Sequence, residues 1–521
     1  MRRTQAALPP LFLLFAFITF SCSGDQTDYA TIAEGLQAWV KPEYAVDAAI
    51  VGEELQRCND GQPTRMYADG YTQSYYQQPN APILWISRMG IDERADTLIA
   101  WLSGSDEIGL GPKVLRADSL RAALQQLRNS DFSRTDCSSQ LARLEHMLTR
   151  SYLRYACGQR YGFVRPSRLL NRLLVDTPLP GSKGTTYRRI YDMRAEEPTD
   201  SFVHVALEAV RNHRITPFLQ SIQPTDTLYR TMQREYKRAK EQGDTTRQRL
   251  ARINMERARW RYPHPTKGRY IFVNLAPQQL TAVNGDSVLS MRVCCGNASH
   301  KTPLLRSAIS YVELNPYWVI PQTIVRKEIM PRHVGDSAYY ARNRYHAINK
   351  ETKEVVDPSL LTADEMRSGR YTLRQERGAG NSLGRIIFRF PNNFSVFLHD
   401  TSSPGVFQRD DRGVSHGCVR VQRPFDLACF LFGERPDEWT LDKLRISMGL
   451  SPATEKGRKY VAELEPGAKP QLIRWQKVSP RVPLYITYYT LFPVPGGQLT
   501  TYPDVYGYDK VLAGALATFR K

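Results

Sequence analysis

The sequence predicts an α+β chain, helical through about residue 261 and β-rich from about residue 266. Three observations carry that prediction. Apolar residues recur at three- and four-residue spacing in the first half, as in Asp118-Ser119-Leu120-Arg121-Ala122-Ala123-Leu124-Gln125-Gln126-Leu127 behind a capping residue. The run Tyr262-Pro263-His264-Pro265-Thr266-Lys267-Gly268 then breaks the pattern, because its prolines cannot continue a helix. Beyond it come short runs of β-branched and aromatic residues separated by turn residues.

Leu141, Leu144 and Leu148 keep the helical period, residues 202–210 give another helix, and Gly181-Ser182-Lys183-Gly184 reads as a loop. Residues 227–261 are rich in Arg and Lys, with Leu228, Met232, Tyr236 and Ala239 along one face. They read as two packed helices turning at Gly243 with a solvated basic side, in preference to a polyanion-binding helix. After the boundary, residues 269–274, 279–283 and 287–294 read as strands, with Asn284-Gly285-Asp286 as a tight reversal. Residues 307–314 and 385–390 read as further strands, and 395–399 as an interior one. From about 321 to 383 a charged, helix- and loop-rich stretch interrupts this pattern, an insertion suited to a lid. Val419 and Val421 alternate with Arg420, Pro424 opens an apolar helix through Phe432, and 482–490 is strand-like.

A chain of 521 residues holds two or three domains, and 41% hydrophobic with 24% charged residues is ordinary globular composition. The net charge of +19 calls for an anionic partner. Nucleic acid is the first candidate, but the chain has no zinc-finger spacing, Walker A loop or RNA-binding aromatic signature. Anionic polymers outside the cytoplasm, such as cell-wall carboxylates, fit equally well. The N-terminus favours them. Arg2 and Arg3 precede an apolar run from Leu11 to Ile18, the order of a signal peptide and too short to span a membrane. Ser21-Cys22 directly after it resembles a bacterial lipobox, which makes Cys22 the expected lipidation site and mature N-terminus. The expected location is the periplasmic side of the envelope, anchored in the outer membrane by that lipid alone. Seven cysteines remain, an odd number that requires at least one free thiol, for which Cys418 is the candidate. Cys294-Cys295 reads as buried small hydrophobes within a strand. The pairing of Cys58, Cys137 and Cys157 stays open.

The chemistry concentrates in Ser415-His416-Gly417-Cys418-Val419-Arg420 and in His399 of Phe397-Leu398-His399-Asp400-Thr401. A thiol is a strong nucleophile only as thiolate, and histidine is the side chain suited to removing its proton near neutral pH. Gly417 lets the backbone approach a substrate and turn N–H groups toward an oxyanion. These residues admit two other readings. A zinc site is disfavoured because a His-x-Cys pair is not a common zinc spacing and no fourth ligand is evident. A papain-like protease is disfavoured because its histidine follows the cysteine, whereas His399 precedes Cys418.

His399 followed by the Ser-His-Gly-Cys tetrad resembles the signature of the L,D-transpeptidases, the YkuD family. Segments 269–274, 315–321, 325–329, 381–384, 397–401, 482–490 and 506–509 resemble its large YcbB-like branch, most closely from about 250 to 521. The resemblance implies a helical scaffold domain before a β-rich YkuD-like catalytic domain with a helical lid insertion. The boundaries expected are 1–22 signal peptide, 23–28 tether, 29–261 scaffold, 266–450 catalytic domain with its lid at about 321–383, and a 451–521 C-terminal extension packing on either domain. It implies action on peptidoglycan stem peptides through a cysteine acyl-enzyme that a neighbouring stem amine resolves as a 3→3 cross-link. No metal or organic cofactor is implied, and carbapenems are expected to acylate the same thiol. By position, Cys418 is the expected nucleophile, His399 the proton donor and acceptor, His416 a polarising neighbour, and Gly417 with Cys418 the oxyanion-hole backbone. Arg420, Ser415, Trp318 and Asn381 are the expected substrate contacts; a structural salt bridge is the competing reading for Arg420. The segment before the catalytic domain is too short for the compact wall-binding module that larger members carry. L,D-carboxypeptidase action, attachment of a protein to the wall, and a non-enzymatic wall-binding lipoprotein stand as alternatives.

Overall fold

The computed structural model describes residues 46–518 apart from 62–65, 79–80, 88–89, 111–113, 130–135, 176–184, 263–267, 434–435, 469 and 495–496. The expected signal peptide, Cys22, the 23–28 tether and the loop at 181–184 lie outside the described residues, as does most of the proline-rich boundary.

The chain is α+β, with a helical N-terminal region followed by a β-rich one. Helices Ala48–Asp60, Tyr67–Tyr76, Glu93–Ser103, Ala117–Arg128 and Asp200–Arg211 pack around the 25-residue helix Cys137–Tyr161. That helix starts where Asp136 accepts a hydrogen bond from Ser139 N at 2.7 Å. It is buried nearly all round, and its Glu145 carboxylate accepts from Leu84 N, Trp85 N and the Tyr76 hydroxyl. The periodicity of 118–127 appears as Ala117–Arg128, with Leu120 and Leu124 in the core. The basic stretch forms the helices Thr227–Glu241 and Thr245–Arg259, turning at Gly243 with φ +68°. Met232, Tyr236 and Ala239 are its buried face.

In the β-rich region strands such as Gln279–Asn284 and Val419–Val421 bury alternate side chains, while Ile386–Arg389 and Leu398–His399 are buried on both faces. The order is Ile386–Arg389, Leu398–His399, Val419–Val421, Ser287–Gly296, Gln279–Asn284, Arg269–Asn274, Trp475–Thr487, Leu304–Leu314. Ile386–Arg389 also pairs with Leu304–Leu314, so the sheet closes on itself as a barrel and leaves no open edge in that circuit. Ile271, Val273, Leu280, Val293, Ile309, Leu398, Val419 and Leu484 fill its core. Each such side chain contributes about 1.5–3 kcal/mol on burial. Gly285, at φ +57°, turns the hairpin between Gln279–Asn284 and Ser287–Gly296.

Two expectations change here. The C-terminal segment is not an extension resting on a finished domain. Trp475–Thr487 lies inside the barrel, parallel to Arg269–Asn274 and antiparallel to Leu304–Leu314. The helix Tyr508–Thr518 then returns to the N-terminal core through Leu512 and Leu516. The insertion, in turn, is not simply helical. It carries the antiparallel sheet Val355–Val356, Tyr345–Asn349, Tyr371–Gln375, Trp318–Val319, and its own core of Ile320, Val325, Ile329, Tyr345 and Leu373. All seven described cysteines are unpaired, which answers the question left open for Cys58, Cys137 and Cys157, and Cys294 and Cys295 are fully buried.

Candidate active site

Leu398–His399 and Val419–Val421 are neighbouring parallel strands, with Leu398 beside Val419 and His399 beside Arg420. Leu398, Val419 and Val421 point into the barrel core. Alternation therefore sends His399 and Arg420 to the opposite face, while Cys418, one residue before the strand, is half-buried and packs against the margin of that core. Strand spacing and rise place the His399 and Cys418 Cα atoms roughly 8 Å apart on the diagonal, a span their two side chains can bridge.

The Ser415–Cys418 turn is built from its own polar groups. Ser415 is buried; its hydroxyl donates to Cys418 O at 2.5 Å and accepts from Gly417 N at 3.1 Å. Ser415 shapes the turn, since its hydroxyl is engaged by two backbone groups. The Gly417 N–H is taken by that hydroxyl, and what Gly417 supplies is a backbone at φ +118° that L side chains avoid. The Cys418 N–H has no such partner among the described residues. Arg412 holds the approach to the turn: its buried guanidinium donates to the carbonyls of Val293, Arg409, Asp410, Pro277 and Gln278.

His399 is buried, and its Nδ1 has no hydrogen-bond partner among the described residues. Burial, with the Arg420 guanidinium adding to it, depresses the imidazole to about 3, while the carbonyls of Asp400 and Leu383 pull the other way. Burial likewise pushes the half-buried Cys418 thiol up to about 11, against a backbone hydrogen bond from Phe397. Both groups are thus neutral near pH 7. Phe397 meets the His399 ring edge-on at 5.7 Å. Asp400 accepts from Arg385 N at 2.8 Å, and a Cβ on Gly384 would lie 2.4 Å from the Asp400 Cγ, so this turn too is closely fitted.

His416 faces outward. Its Nε2 lies 2.6 Å from the Glu328 carboxylate of the insertion, and its ring is 4.8 Å from that of His300. Arg420 is half-buried, with a buried Nε that has no hydrogen-bond partner and no ion pair among the described residues. The nearby Arg389, by contrast, pairs with Glu313 at 2.9 Å. Arg420 is therefore a cation without a counter-charge among the described residues, and the salt-bridge reading has no support among them.

Asn381 does not meet the cleft. It is fully buried, donates to Pro316 O and Glu376 O, and accepts from Leu383 N at 2.8 Å. A polar side chain with all its groups on backbone is a loop staple. Trp318 belongs to the insertion, opposite Gln375 and edge-on to Tyr345 at 6.5 Å. Sequence reasoning missed Glu328, Arg412 and Gly384. Glu328 and Gly384 sit inside segments that matched the family, but no spacing ties them to the residues they touch.

Among the described residues no three His, Cys, Asp or Glu side chains converge as a metal cage requires. Residues 268–431 match the L,D-transpeptidase catalytic domain, YkuD, and residues 70–235 match the Scaffold domain. A Haemophilus influenzae protein named "Putative L,D-transpeptidase" is 28% identical over 323 residues, which are 61% of this chain and 60% of that relative. This chain thus spans about 60% of the length of the curated relative it matches. The matched catalytic segment contains His399, Cys418 and the whole insertion that carries Glu328. The chain thus pairs a segment similar to the YkuD L,D-transpeptidase catalytic domain with a preceding segment similar to the Scaffold domain.

Proposed function

We propose that this chain is a peptidoglycan L,D-transpeptidase that forms 3→3 cross-links through a Cys418 acyl-enzyme. The observation that supports it most is the pair of adjacent parallel strands carrying His399 and the Val419 end of the tetrad, inside a segment matching the catalytic domain.

In the first half-reaction the Cys418 sulfur attacks the carbonyl between the third and fourth residues of a tetrapeptide stem. His399 Nδ1, neutral and unpartnered, takes the thiol proton as the C–S bond forms. The tetrahedral oxyanion lies against the Cys418 N–H, the role first assigned to Gly417 and Cys418 together. The imidazolium then protonates the departing D-alanine nitrogen as the C–N bond breaks. In the second half-reaction a side-chain amine of a neighbouring stem attacks the thioester and a new C–N bond forms. The C–S bond breaks, and the amine's proton returns through His399 to sulfur. The Arg420 guanidinium is offered to a stem carboxylate, for which a two-pronged contact is the favoured geometry. His416, held by Glu328, polarises the turn from its outer side.

Carbapenems, whose strained lactam carbonyl presents the same electrophile, are expected to acylate Cys418. Lipidation at Cys22 and residence on the periplasmic side of the outer membrane belong to the same reading, since cross-linking takes place where the wall is built. Intact-mass analysis tests the core of it. A covalent carbapenem adduct, absent in Cys418→Ala, and 3→3-linked dimers from purified stems are the expected results. No adduct on any cysteine would overturn the enzymatic reading, and tripeptide as sole product would replace transfer by hydrolysis.

A further inference from the structure

Against the tetrad turn lies a recess of about 300 Å³ whose walls come from three separate segments. Arg188 and Arg189 enter from the stretch leading to the strand Tyr191–Asp192, Lys301 from the loop after Ser287–Gly296, and Asn393 from the turn before Leu398–His399. His416 and Gly417 form the side toward the nucleophile. The lining includes three cationic side chains and no carboxylate. Lys301 is already committed, donating to Tyr506 O at 2.7 Å with its ammonium over the Tyr508 ring at 4.9 Å. Arg188 and Arg189 are exposed and have no ion pair among the described residues. Two guanidinium groups at the wall of a small recess form a receptor for a planar anion.

Its position identifies which substrate. No residue of the 316–383 insertion lines it. The contact between Glu328 and His416 therefore leaves this side of the turn open. In a two-step transfer the second substrate must reach the thioester while the first acyl group still occupies its own site, so an entry independent of the insertion suits the acceptor. A cationic wall also favours the neutral, nucleophilic form of an arriving amine over its ammonium form.

We propose that this recess binds a carboxylate carried by the acyl acceptor, next to the amine that attacks the Cys418 thioester. The inference rests on the transpeptidase reading above and adds the acceptor's recognition group to it. The test separates the two half-reactions in wild type and in the double variant Arg188→Ala with Arg189→Ala. Acylation of Cys418 by a donor stem, followed by intact mass, is expected to stay within about twofold. KM for the acceptor is expected to rise about 10- to 100-fold, the loss typical of charged hydrogen bonds. An acceptor with its carboxylates converted to carboxamides is expected to show the same penalty with wild type and none with the variant. Equal losses in both half-reactions, or equal use of acid and carboxamide acceptors by wild type, would overturn the proposal. If wild type forms no acyl-enzyme, the transpeptidase reading fails separately. Binding of the acid and carboxamide stems to Cys418→Ala protein, with and without Arg188→Ala and Arg189→Ala, then decides the recess: a preference for the acid that the two arginine substitutions abolish supports it, and a preference they leave unchanged, or none at all, refutes it.

Discussion

The protonation state of Cys418, the nucleophile of the proposed reaction, is the quantity on which that proposal can be tested most sharply. Cys418 is raised to about 11 and His399 is depressed to about 3, both chiefly by burial. Burial favours the neutral forms of both groups, thiol and imidazole, over a preformed thiolate–imidazolium pair. The consequence can be measured by alkylating Cys418 with iodoacetamide. At pH 7.5 a thiol of pKa about 11 is roughly 300-fold less ionised than a free cysteine at about 8.5. Its thiolate is more nucleophilic by about 13-fold, from a Brønsted slope near 0.45, so the net rate should be about 20-fold below that of a peptide cysteine. The rate should climb nearly tenfold per pH unit to about pH 10 without a plateau. Peptide-resolved mass spectrometry keeps Cys58 and Cys429, which are also partly exposed, apart from the signal. His399→Ala should leave this profile nearly unmoved while lowering acylation by a stem about 10²- to 10⁴-fold, because the imidazole acts in the transition state and not on the resting thiol. A plateau with its midpoint below pH 8 would refute this reasoning and restore the ion pair.

Three further outcomes follow from other parts of the molecule. Glu328→Gln should change the melting temperature by less than about 2 °C, since an exposed pair contributes below about 1 kcal/mol, yet lower acylation about tenfold by loosening His416; unchanged acylation would remove Glu328 from the site. Arg259→Met should cost about 3–5 kcal/mol in urea unfolding, because buried Glu256 loses its partner and Gln159, Tyr229 and Ile108 O lose a donor; a loss under 1 kcal/mol would contradict the burial. Burial depresses His146 to about 4, so the unfolded chain takes up its proton first and stability is lost as pH falls from about 6.5 to about 4. Subtracting the curve for His146→Gln should remove up to roughly 3 kcal/mol of that slope, and parallel curves for the two proteins would refute the assignment.

The parts of the fold that were legible were those encoded locally. Strand Arg269–Asn274 and its hairpin neighbours follow from alternation and an Asn-Gly turn, and Ala117–Arg128 from its helical period. His399 and Cys418 could be singled out because a candidate nucleophile and a candidate base leave a chemical signature in a short segment. Barrel closure could not be read, since nothing in the sequence of Trp475–Thr487 names its partners at Arg269–Asn274 and Leu304–Leu314. The sheet in the insertion was hidden by strands of two to five residues among charged turns. Ser415 and Asn381 were expected to meet substrate because polar residues beside a nucleophile invite that reading. Both were instead consumed by backbone groups that only the folded loop brings within reach.

The interior position of Trp475–Thr487 also sets the order of events in making the protein. Strands Arg269–Asn274 and Leu304–Leu314 face a gap until residue 487 has emerged, and both gap edges expose unpaired amides to any passing strand. Such distant pairing assembles slowly. A chain ended after residue 450 should therefore stay open-sided and aggregate, with Cys418 present but silent, and a soluble, acylating fragment would contradict this. On the proposed function, a thiol made competent only once that strand is in place carries built-in protection against acting before the barrel is whole.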